Sequence, residues 1–536
     1  MGIPQEAYQA IVDIVGSQYV TDDQVIAQAY VGRLGHGKDT GIDLDMNVPP
    51  AVIAMPSTTK EVQGILKIAS RYKINYVPAS SFWISHCAPK KPDSILIDLK
   101  RMNDLEIDEE NMCAICGPGV IFSQLQEEAI KRGMYTTTPG GGSQVSVVAN
   151  HINWGLSPLN YRNGVPGRRV LAAEWVLPDG ELLKTGSLSM QDDPFWGEGP
   201  GPDLRGLLRG WIGWFGAMGV VTKLTVKLLP FHDEGLTPVG ITPHTTLKFP
   251  EKKRIRWYNW TMPHRDDLVE CMYDIGKAEI GAALTKVPIQ WRYIAKAGCR
   301  EDFWEGWNTQ EARDSLGNMH ICRVMLVGYT SEEQLEYEER VLTDIMESYG
   351  GKLGRTRQSD NSWIKNADSA TMWMMTGAYT SVQVTVDTLD CGVKGGEGLA
   401  REKPAFTPPL MDDYGEPGWF QVSELGHMGY IEFLQYWDPN PDQKDLYKKD
   451  EWNYIKVPTL DAEWGMFNAF NIYASPMNLT GKAYGPECRK WFEKVKKEFD
   501  PNKLSNDPVP WDVDKYVDQV DWVDKEDYIN RDWSKG

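Results

Sequence analysis

A glycine-rich stretch at residues 136–155, TTTPGGGSQVSVVANHINWG, constrains the fold of this chain more than any other segment. Its three successive glycines, Gly140 to Gly142, lack a Cβ atom, so the backbone can adopt positive φ and approach a flat or anionic ligand closely. A tight turn between two strands uses glycine in the same way. Taken alone, the stretch therefore leaves two interpretations open, a turn and a ligand-binding loop.

Size and charge limit the classes of protein to consider. At 536 residues the chain exceeds the length at which one hydrophobic core keeps growing, so we expect two or three packed units. A net charge of −19 argues against nucleic acid or an anionic membrane as a partner, since a phosphate binder needs a basic face. No long apolar run and no basic, apolar secretory signal is visible in the sequence. We therefore expect a cytoplasmic protein without a membrane span.

The eight cysteines are scattered, and none of them forms a cluster suited to zinc or an iron–sulfur centre. We therefore predict no metal site, and any redox chemistry needs a bound organic cofactor. Cys113 and Cys116 spell CxxC, but they lie in a predicted strand, where residues i and i+3 point to opposite faces. This pattern favours a structural role over a redox role for the pair.

The first 230 residues alternate helical and strand-like patterns. Helical spacing covers QEAYQAIVDIV, DDQVIAQAY and TTKEVQGILKIASRY, with Thr58 or Thr59 as the N-cap of the third helix. INYVPASSFW, SILIDLKRM and CAICGPGV are typical of strands, and RRVLAAEWVLPDGELLKTG predicts a hairpin that turns at Pro178, Asp179 and Gly180. The fold class of this part is α+β.

Residues 231–480 contain two helix-plus-strand blocks, which predict an antiparallel sheet covered on one side by helices. Thr330 or Ser331 is suited to cap the long helix of the second block. The glycine-rich region Asp390 to Pro417 is expected to form loops, and Gly426 to Trp437 is expected to form a strand. The acidic, aromatic tail from Pro508 is interpreted as an arm over its own domain, with partner docking as the alternative.

Several motifs in order resemble the flavin domain of the vanillyl-alcohol oxidase and 4-cresol dehydrogenase superfamily, which is of the PCMH type. They are GGGS at 140–143, Asn150 followed by Gly155, Gly164, Glu174, VLPDGELLKTG, GPGPDLRGLL and GVVTKLTVKLLP. The resemblance implies an FAD-binding domain of two α+β subdomains over residues 1–230 and an α+β cap domain over 231–480. Residues 481–536, which contain KKEFDPNKLSND, would return to the FAD domain and end in the acidic arm.

The resemblance implies FAD as the cofactor, with Pro78 to Cys87 as the pyrophosphate loop. Backbone N–H groups bind a diphosphate without a cationic side chain, which suits this acidic chain. We expect non-covalent FAD, and a covalent link through His86 is the alternative. The residues expected at FAD are Pro78, Ala79, Ser80, Ser81, Phe82, Trp83, Ser85, His86, Pro139, Gly140, Gly141, Gly142, Ser143, Asn150, Gly155, Gly219, Val220 and Val221.

The implied reaction is the transfer of a hydride from an activated C–H bond to N5 of FAD. Candidates for the base that takes the substrate proton are His427, His151 and a tyrosine of the cap. The 21 Trp and 23 Tyr favour an aromatic alcohol or alkylphenol as substrate. Electrons would pass to an external acceptor, either a redox protein, a quinone or oxygen, and we expect a homo-oligomer or a complex with a redox partner.

Two alternatives remain open at this stage. GHMGYIEFLQYW resembles the GHxGDGNxH strand of the glycolate and D-lactate dehydrogenase branch, which favours a 2-hydroxy acid as substrate. His427 matches the first histidine of that motif, but Leu434 occupies the position of the second. In addition, Val165 stands where the oxidase branch has an acidic residue near the flavin. This difference suggests the other alternative, a non-catalytic FAD-binding subunit that serves assembly or electron transfer.

Overall fold

The fold is taken from a computed structural model of the full chain. It describes residues 2–31, 48–82, 89, 91–139, 142–153, 155–186, 203–209, 216–231, 237–239, 246–248, 254–316, 319–354, 376, 378–386, 388–438, 445, 447–452, 456–457, 467–468, 491 and 494–506. Trp83, Ser85, His86, Gly140, Gly141 and the arm from Pro508 lie outside these ranges.

The first 230 residues contain eleven strands and seven α-helices among their described parts. The strands are β1 Val20–Thr21, β2 Val52–Ala54, β3 Tyr76–Ala79, β4 Ile95–Asp98, β5 Leu105–Asp108, β6 Cys113–Cys116, β7 Met134–Tyr135, β8 Val170–Val176, β9 Leu182–Lys184, β10 Val220–Lys227 and β11 Leu229–Pro230. The helices are α1 Gln5–Val15, α2 Gln24–Ala27, α3 Thr59–Tyr72, α4 Phe122–Ile130, α5 Val147–Ile152, α6 Asn160–Asn163 and α7 Arg205–Leu208.

These elements build two larger sheets, in agreement with the predicted α+β fold class, and a two-stranded sheet of β7 and β11. The first sheet has the order β1-β2-β4-β3, with β2 and β3 parallel to β4. The second has the order β5-β6-β10-β8-β9 and is antiparallel. The predicted cap of α3 is confirmed, because the Thr58 hydroxyl accepts a hydrogen bond from the Glu61 N–H at 3.2 Å. The predicted hairpin is also confirmed, with Gly180 at φ 86° between β8 and β9.

The second part of the chain is organised around one large sheet. Its described strands are β12 Thr237–Val239, β13 Thr246–Lys248, β14 Ile255–Met262, β15 Ala283–Val287, β16 His320–Val327, β17 Lys352–Leu353, β18 Ala378–Val386, β19 Trp419–Ser423, β20 Met428–Trp437 and β21 Phe467–Asn468. Its described helices are α8 Arg265–Lys277, α9 Gln290–Ile294, α10 Arg300–Trp307, α11 Gln310–Leu316, α12 Glu332–Ser348, α13 Leu389–Glu402 and α14 Tyr447–Glu451. Eight of these strands form the sheet, in the order β17-β14-β16-β15-β19-β20-β18-β21.

The two faces of this sheet have different neighbours. On one face, side chains such as Phe420 and Ile431 share a core with residues of helices α8, α12 and α13. The other face, which we call the inner face, packs against the first part of the chain: Trp257 and Met325 contact a cluster that includes Leu159. The predicted antiparallel sheet covered by helices is confirmed, but the helices are not confined to one side, because α9, α10 and α11 pack on Leu434 and Tyr436 of the inner face. The Ser331 cap of α12 is also confirmed, since its hydroxyl accepts from the Gln334 N–H at 3.2 Å.

The prediction of loops over Asp390–Pro417 was wrong for its first half, where α13 forms. The glycines of this segment lie where the helix packs closely against the sheet. A Cβ atom at Gly396 would lie 2.4 Å from Cε1 of Phe433 and 2.8 Å from Cβ of Pro417. The high glycine content therefore reflects close packing of a helix on β20, and not a loop.

The C-terminal described segment, residues 494–506, lies on the first sheet. The Tyr76 N–H donates to the Leu504 carbonyl at 2.9 Å, next to the start of β3. The buried Lys496 ammonium donates to Asp500 and to Ser505, both at 2.7 Å, and to the Ala217 carbonyl. This lysine ties the segment to the turn before β10. The domain boundaries at residues 230 and 480 stay predictions.

Candidate cofactor and substrate site

Two segments predicted to bind the cofactor come together in the structure. Strand β3 ends at Ala79 and is followed by Ser80, Ser81 and Phe82. The Ser81 hydroxyl accepts a hydrogen bond at 3.1 Å from the N–H of Ser146, which is the N-cap of α5. Phe82 is buried against Tyr30, with ring centroids 5.6 Å apart. The loop after β3 and the stretch that contains the glycine triplet therefore form one continuous region.

The glycine-rich stretch is buried and contains a backbone that only glycine tolerates. Thr136, Thr137 and Thr138 are at most 1% exposed. Gly142, the one member of the triplet within the described residues, has φ 117°, and its carbonyl accepts from the Val145 N–H at 3.3 Å. The stretch makes a turn, as the simpler interpretation expected. Its burial next to the loop after β3 is equally consistent with a stretch that lines the binding site of a cofactor.

Asn150 and Gly155 depend on each other. The Gly155 N–H donates to the Asn150 carbonyl at 2.9 Å, which brings the end of the stretch back over α5. A Cβ atom at position 155 would lie 1.3 Å from Nδ2 of Asn150. The amide of Asn150 occupies its position only because residue 155 has no side chain.

Unpartnered buried polar atoms test whether this region suits FAD. Thr137 Oγ1, Ser143 Oγ and Asn150 Oδ1 are all buried without a hydrogen-bond partner among the described residues. Buried polar groups are normally hydrogen-bonded, so several unpartnered atoms in one region indicate a bound polar ligand. FAD offers donors and acceptors along its whole length, and the residues present fit it.

Gly219 is required by strand packing. It has φ 116°, and a Cβ atom there would lie 2.2 Å from the Val176 carbonyl oxygen. The next residues, Val220 and Val221, pair with Val176 and Trp175 of β8. These contacts explain the glycine without a ligand, and the predicted cofactor contacts of Gly219, Val220 and Val221 stay predictions. Pro78 lies beside the same turn, because a Cβ atom at Gly216 would lie 2.3 Å from Cγ of Pro78.

The CxxC pair has the structural role that the sequence predicted. Cys113 and Cys116 are both free and fully buried in β6. Burial, and next to it the charge of Asp108, raise the pKa of the Cys113 thiol to about 11. Burial raises the pKa of Cys116 further. Neither thiol is a thiolate nucleophile at neutral pH.

An aromatic wall lines the inner face of the large sheet where it meets residues 156–157. Trp419 and Tyr430 are buried against Leu156, and Trp291 packs on the same cluster. Gln421 lies in β19, where it pairs with Tyr430 of β20, and its side chain donates at 3.0 Å to the Ser157 carbonyl. The wall therefore borders the residues that directly follow Gly155.

A carboxylate stands within this wall. Glu432 is the cross-strand partner of Trp419, and it is 8% exposed. It accepts a hydrogen bond from the Tyr430 hydroxyl at 3.4 Å. Burial, and next to it the charge of Glu432, raise the pKa of Tyr430 well above its usual value. Tyr430 therefore stays protonated and acts as a donor, while Glu432 acts as the acceptor.

The two predicted catalytic histidines occupy very different positions. His151 is fully buried in α5, where Nδ1 donates to the Val147 carbonyl at 2.8 Å and the ring stacks on Phe122. His427 is exposed and directly follows the turn Glu424–Gly426 between β19 and β20. The structure does not bring these two histidines to one place, and their catalytic roles stay predictions.

Sequence reasoning did not single out Glu432, Tyr430 or Trp419. The signal was present, because alternate residues of the two strands share one face. The pattern does not indicate which face of the sheet contacts the first part of the chain. Among the residues that the structure describes, no group of three His, Cys, Asp or Glu side chains could hold a metal ion. No helix within the described ranges is long and apolar enough to cross a membrane.

Comparisons with known proteins agree with this geometry. Residues 50–186 match the family model of the FAD binding domain. D-lactate dehydrogenase of Archaeoglobus fulgidus is 31% identical over 183 residues, which are 33% of this chain and 39% of that enzyme. D-lactate dehydrogenase of Anaerostipes hadrus is 27% identical over 474 residues, which are 85% of this chain and 88% of that enzyme. The match to the archaeal relative thus spans well under half of its length.

A solved structure matches almost the whole chain. The crystal structure of p-cresol methylhydroxylase with substrate bound covers 95% of this chain and 97% of its own, with a TM-score of 0.74 and 16% sequence identity. The chain therefore shares the fold of p-cresol methylhydroxylase. This chain carries an FAD binding domain at residues 50–186, and FAD is its cofactor. The predicted fold class and the predicted cofactor are confirmed.

Replacing Gly155 by alanine is expected to lower FAD affinity by at least about tenfold, since the loss of one buried hydrogen bond to the ligand is enough for this change. The new Cβ atom would occupy the position of Nδ2 of Asn150 and displace that amide. Fluorescence titration of the apoprotein with FAD measures the effect. Gly206→Ala is the matched control, because a Cβ atom there meets nothing within 4 Å. Equal FAD affinity in the two variants would contradict a role for Asn150.

His151 is expected to make the fold sensitive to acid. Burial, and after it the charge of Arg169, lower the pKa of His151 from 6.5 to about 4. Between these values the unfolded chain binds a proton that the folded chain does not, so stability is present above pH 6.5 and is lost as the pH falls toward 4. The pH dependence of urea unfolding measures this effect. His151→Gln should show a shallower loss in this window, whereas an unchanged slope would show that the ring is not buried as a neutral group.

Proposed function

We propose that this chain is an FAD-dependent oxidoreductase that takes a hydride from an activated C–H bond of an aromatic alcohol or alkylphenol. The observation that carries the proposal is the aromatic wall with its buried carboxylate, formed by Trp419, Tyr430 and Glu432 beside Leu156. A planar substrate packs well against aromatic rings, and its hydroxyl needs a buried acceptor. In the aromatic wall, Trp419 and Tyr430 provide the rings and Glu432 provides the acceptor.

Each residue of the wall has a separate task in this proposal. The Trp419 and Tyr430 rings orient the planar substrate and keep water out of the site. Glu432 accepts the hydrogen bond of the substrate hydroxyl and takes its proton as general base. The Tyr430 hydroxyl donates to the same carboxylate and holds it in position. His427, His151 and a tyrosine of the cap remain weaker candidates for the base, and the buried Tyr436 of β20 is one such tyrosine.

Ser81, Ser143 and Asn150 would hold the cofactor, which supplies a two-electron acceptor for the C–H bond when it is bound. Gly155 and Gly142 would allow the backbone to approach it closely. The electrons would then leave to an external acceptor, which is a redox protein, a quinone or oxygen. A complex with such a redox protein would allow this electron transfer. A homo-oligomer is a separate expectation.

A 2-hydroxy acid is the second candidate substrate. The similarity to a D-lactate dehydrogenase over 85% of this chain supports it. Against it, Leu434 is 1% exposed in an apolar cluster at the place where that branch has its second histidine. The chain would therefore need a different way to bind the substrate carboxylate.

Anaerobic reduction of the bound flavin by a panel of substrates tests the proposal. We expect alkylphenols and aromatic alcohols to bleach the flavin absorption band faster than D-lactate or glycolate at equal concentration. Faster bleaching by the hydroxy acids would favour the second candidate. No bleaching by any member would favour a non-catalytic FAD-binding subunit.

A further inference from the structure

Arg169 is buried where the first part of the chain meets the cap, and it forms no ion pair with a carboxylate of the described residues. Arg169 is 5% exposed and ends the 3-10 helix Pro166–Arg169, which precedes β8. Its Nη2 atom donates to the Asn163 carbonyl, and its Nη1 atom has no hydrogen-bond partner among the described residues. A buried cation that lacks an anionic partner strongly destabilises a fold. Such a group is expected to have a partner beyond the described residues.

The nearest carboxylate is already engaged. Glu424 forms an ion pair with Arg168, and its Oε1 atom accepts a hydrogen bond from the Val165 N–H at 3.4 Å. Among the described residues, Glu424 is therefore the ion-pair partner of Arg168 and not of Arg169. Burial lowers the pKa of Arg169 only to about 10, so the side chain is a cation at neutral pH.

Other unpartnered groups lie beside the arginine. The 3-10 helix Pro166–Arg169 packs against α5, which carries Asn150 and His151. The Nε2 atom of His151 and the Oδ1 atom of Asn150 are also buried without a partner among the described residues. Arg169 therefore lies in the same region of unpartnered polar atoms as Asn150, one of the residues proposed to hold FAD.

We propose that the Arg169 guanidinium binds a negatively charged oxygen of the ligand that lies between the FAD domain and the cap. The proposal rests on FAD binding and on the proposed site, and it deepens both. The oxygen can come from two sources, either the carboxylate of an acidic substrate or the cofactor itself, which carries negative charge when it is reduced. A guanidinium suits either source, since it offers several N–H donors in a fixed plane.

The test compares Arg169→Met with Arg168→Met in the full chain with FAD bound. The control removes a neighbouring positive charge that is 48% exposed and already paired with Glu424. Oxalate serves as a carboxylate probe and p-cresol as an uncharged probe, with affinities read from changes in the flavin absorption and from thermal shifts. The midpoint potential of the bound flavin is measured separately.

We expect one of two results in Arg169→Met alone. A loss of oxalate affinity of at least about tenfold, with p-cresol affinity unchanged, would identify a substrate carboxylate as the partner. A lower midpoint potential with unchanged affinity for both probes would identify the reduced cofactor. Arg169→Lys keeps the positive charge, so it should retain part of the oxalate affinity or part of the midpoint potential. The same variant replaces Arg169→Met in the test if the methionine variant does not fold.

Unchanged oxalate affinity and unchanged midpoint potential in Arg169→Met, with equal or higher thermal stability, would overturn the proposal. Arg169 would then be a structural residue that methionine replaces. None of these measurements needs turnover. They can therefore succeed even if no substrate of the panel reduces the flavin, which separates a failure of this inference from a failure of the proposed function.

Discussion

Replacing Glu432 by glutamine is expected to lower the rate of flavin reduction by an alkylphenol about 100-fold or more, the usual loss when a general base is removed. Glutamine keeps the size of the side chain and can still accept the hydrogen bond of Tyr430, but it cannot take the substrate proton. Stopped-flow absorption of the flavin band under anaerobic conditions measures the rate. FAD content and the thermal midpoint should stay close to those of the wild type.

Glu347→Gln is the matched control for this experiment. Glu347 is exposed near the end of α12, on the helical side of the large sheet. The same chemical change there should leave the reduction rate unaltered. If Glu432→Gln and Glu347→Gln reduce equally fast, the carboxylate in the aromatic wall is not the base, and His427 or Tyr436 becomes the stronger candidate.

Lys496→Met is expected to destabilise the protein by about 3–5 kcal/mol, the usual effect of removing one partner from a buried ion pair. The substitution leaves the Asp500 carboxylate, whose side chain is 1% exposed, without its cation. It also removes the donor to the Ala217 carbonyl, two residues before Gly219. The free energy of unfolding in urea measures the loss, and FAD affinity is expected to fall with it.

The neighbouring lysine provides a control of the same chemistry. Lys497 is exposed on the same helical turn, and Lys497→Met should change the free energy of unfolding by less than about 0.5 kcal/mol. An equal effect of the two substitutions would mean that the contacts of Lys496 do not anchor the C-terminal segment. If Lys496→Met lowers the stability but leaves the FAD affinity unchanged, the contacts of Lys496 contribute to folding and not to FAD binding.

The FAD-binding half could be predicted from the sequence because its signals are local. Thr58 caps a helix, Gly180 turns a hairpin, and Gly142 and Gly155 mark positions where a Cβ atom is not tolerated. Each of these signals depends on residues close in sequence. The resemblance predicted that the loop after β3 and the glycine-rich stretch bind one cofactor, and the contact between Ser81 and Ser146 is a finding of the structure.

The cap was harder to predict because its signals are not local. The glycines around Gly396 indicated loops until the packing partner Phe433 was known. In the same way, the strand predicted over Gly426–Trp437 has two faces, and the sequence does not indicate which of them carries Glu432 toward the FAD domain. A sequence pattern defines a face, and only the tertiary fold defines what that face contacts.

The central claim is that this chain binds FAD and uses it to oxidise an aromatic alcohol or alkylphenol. Anaerobic titration of the purified, FAD-loaded chain with p-cresol or a longer alkylphenol tests it most directly. We predict that the flavin absorption band is bleached in proportion to the substrate added and returns when an acceptor is admitted. A chain that takes up no FAD, or a bound flavin that no aromatic substrate reduces, would contradict the account.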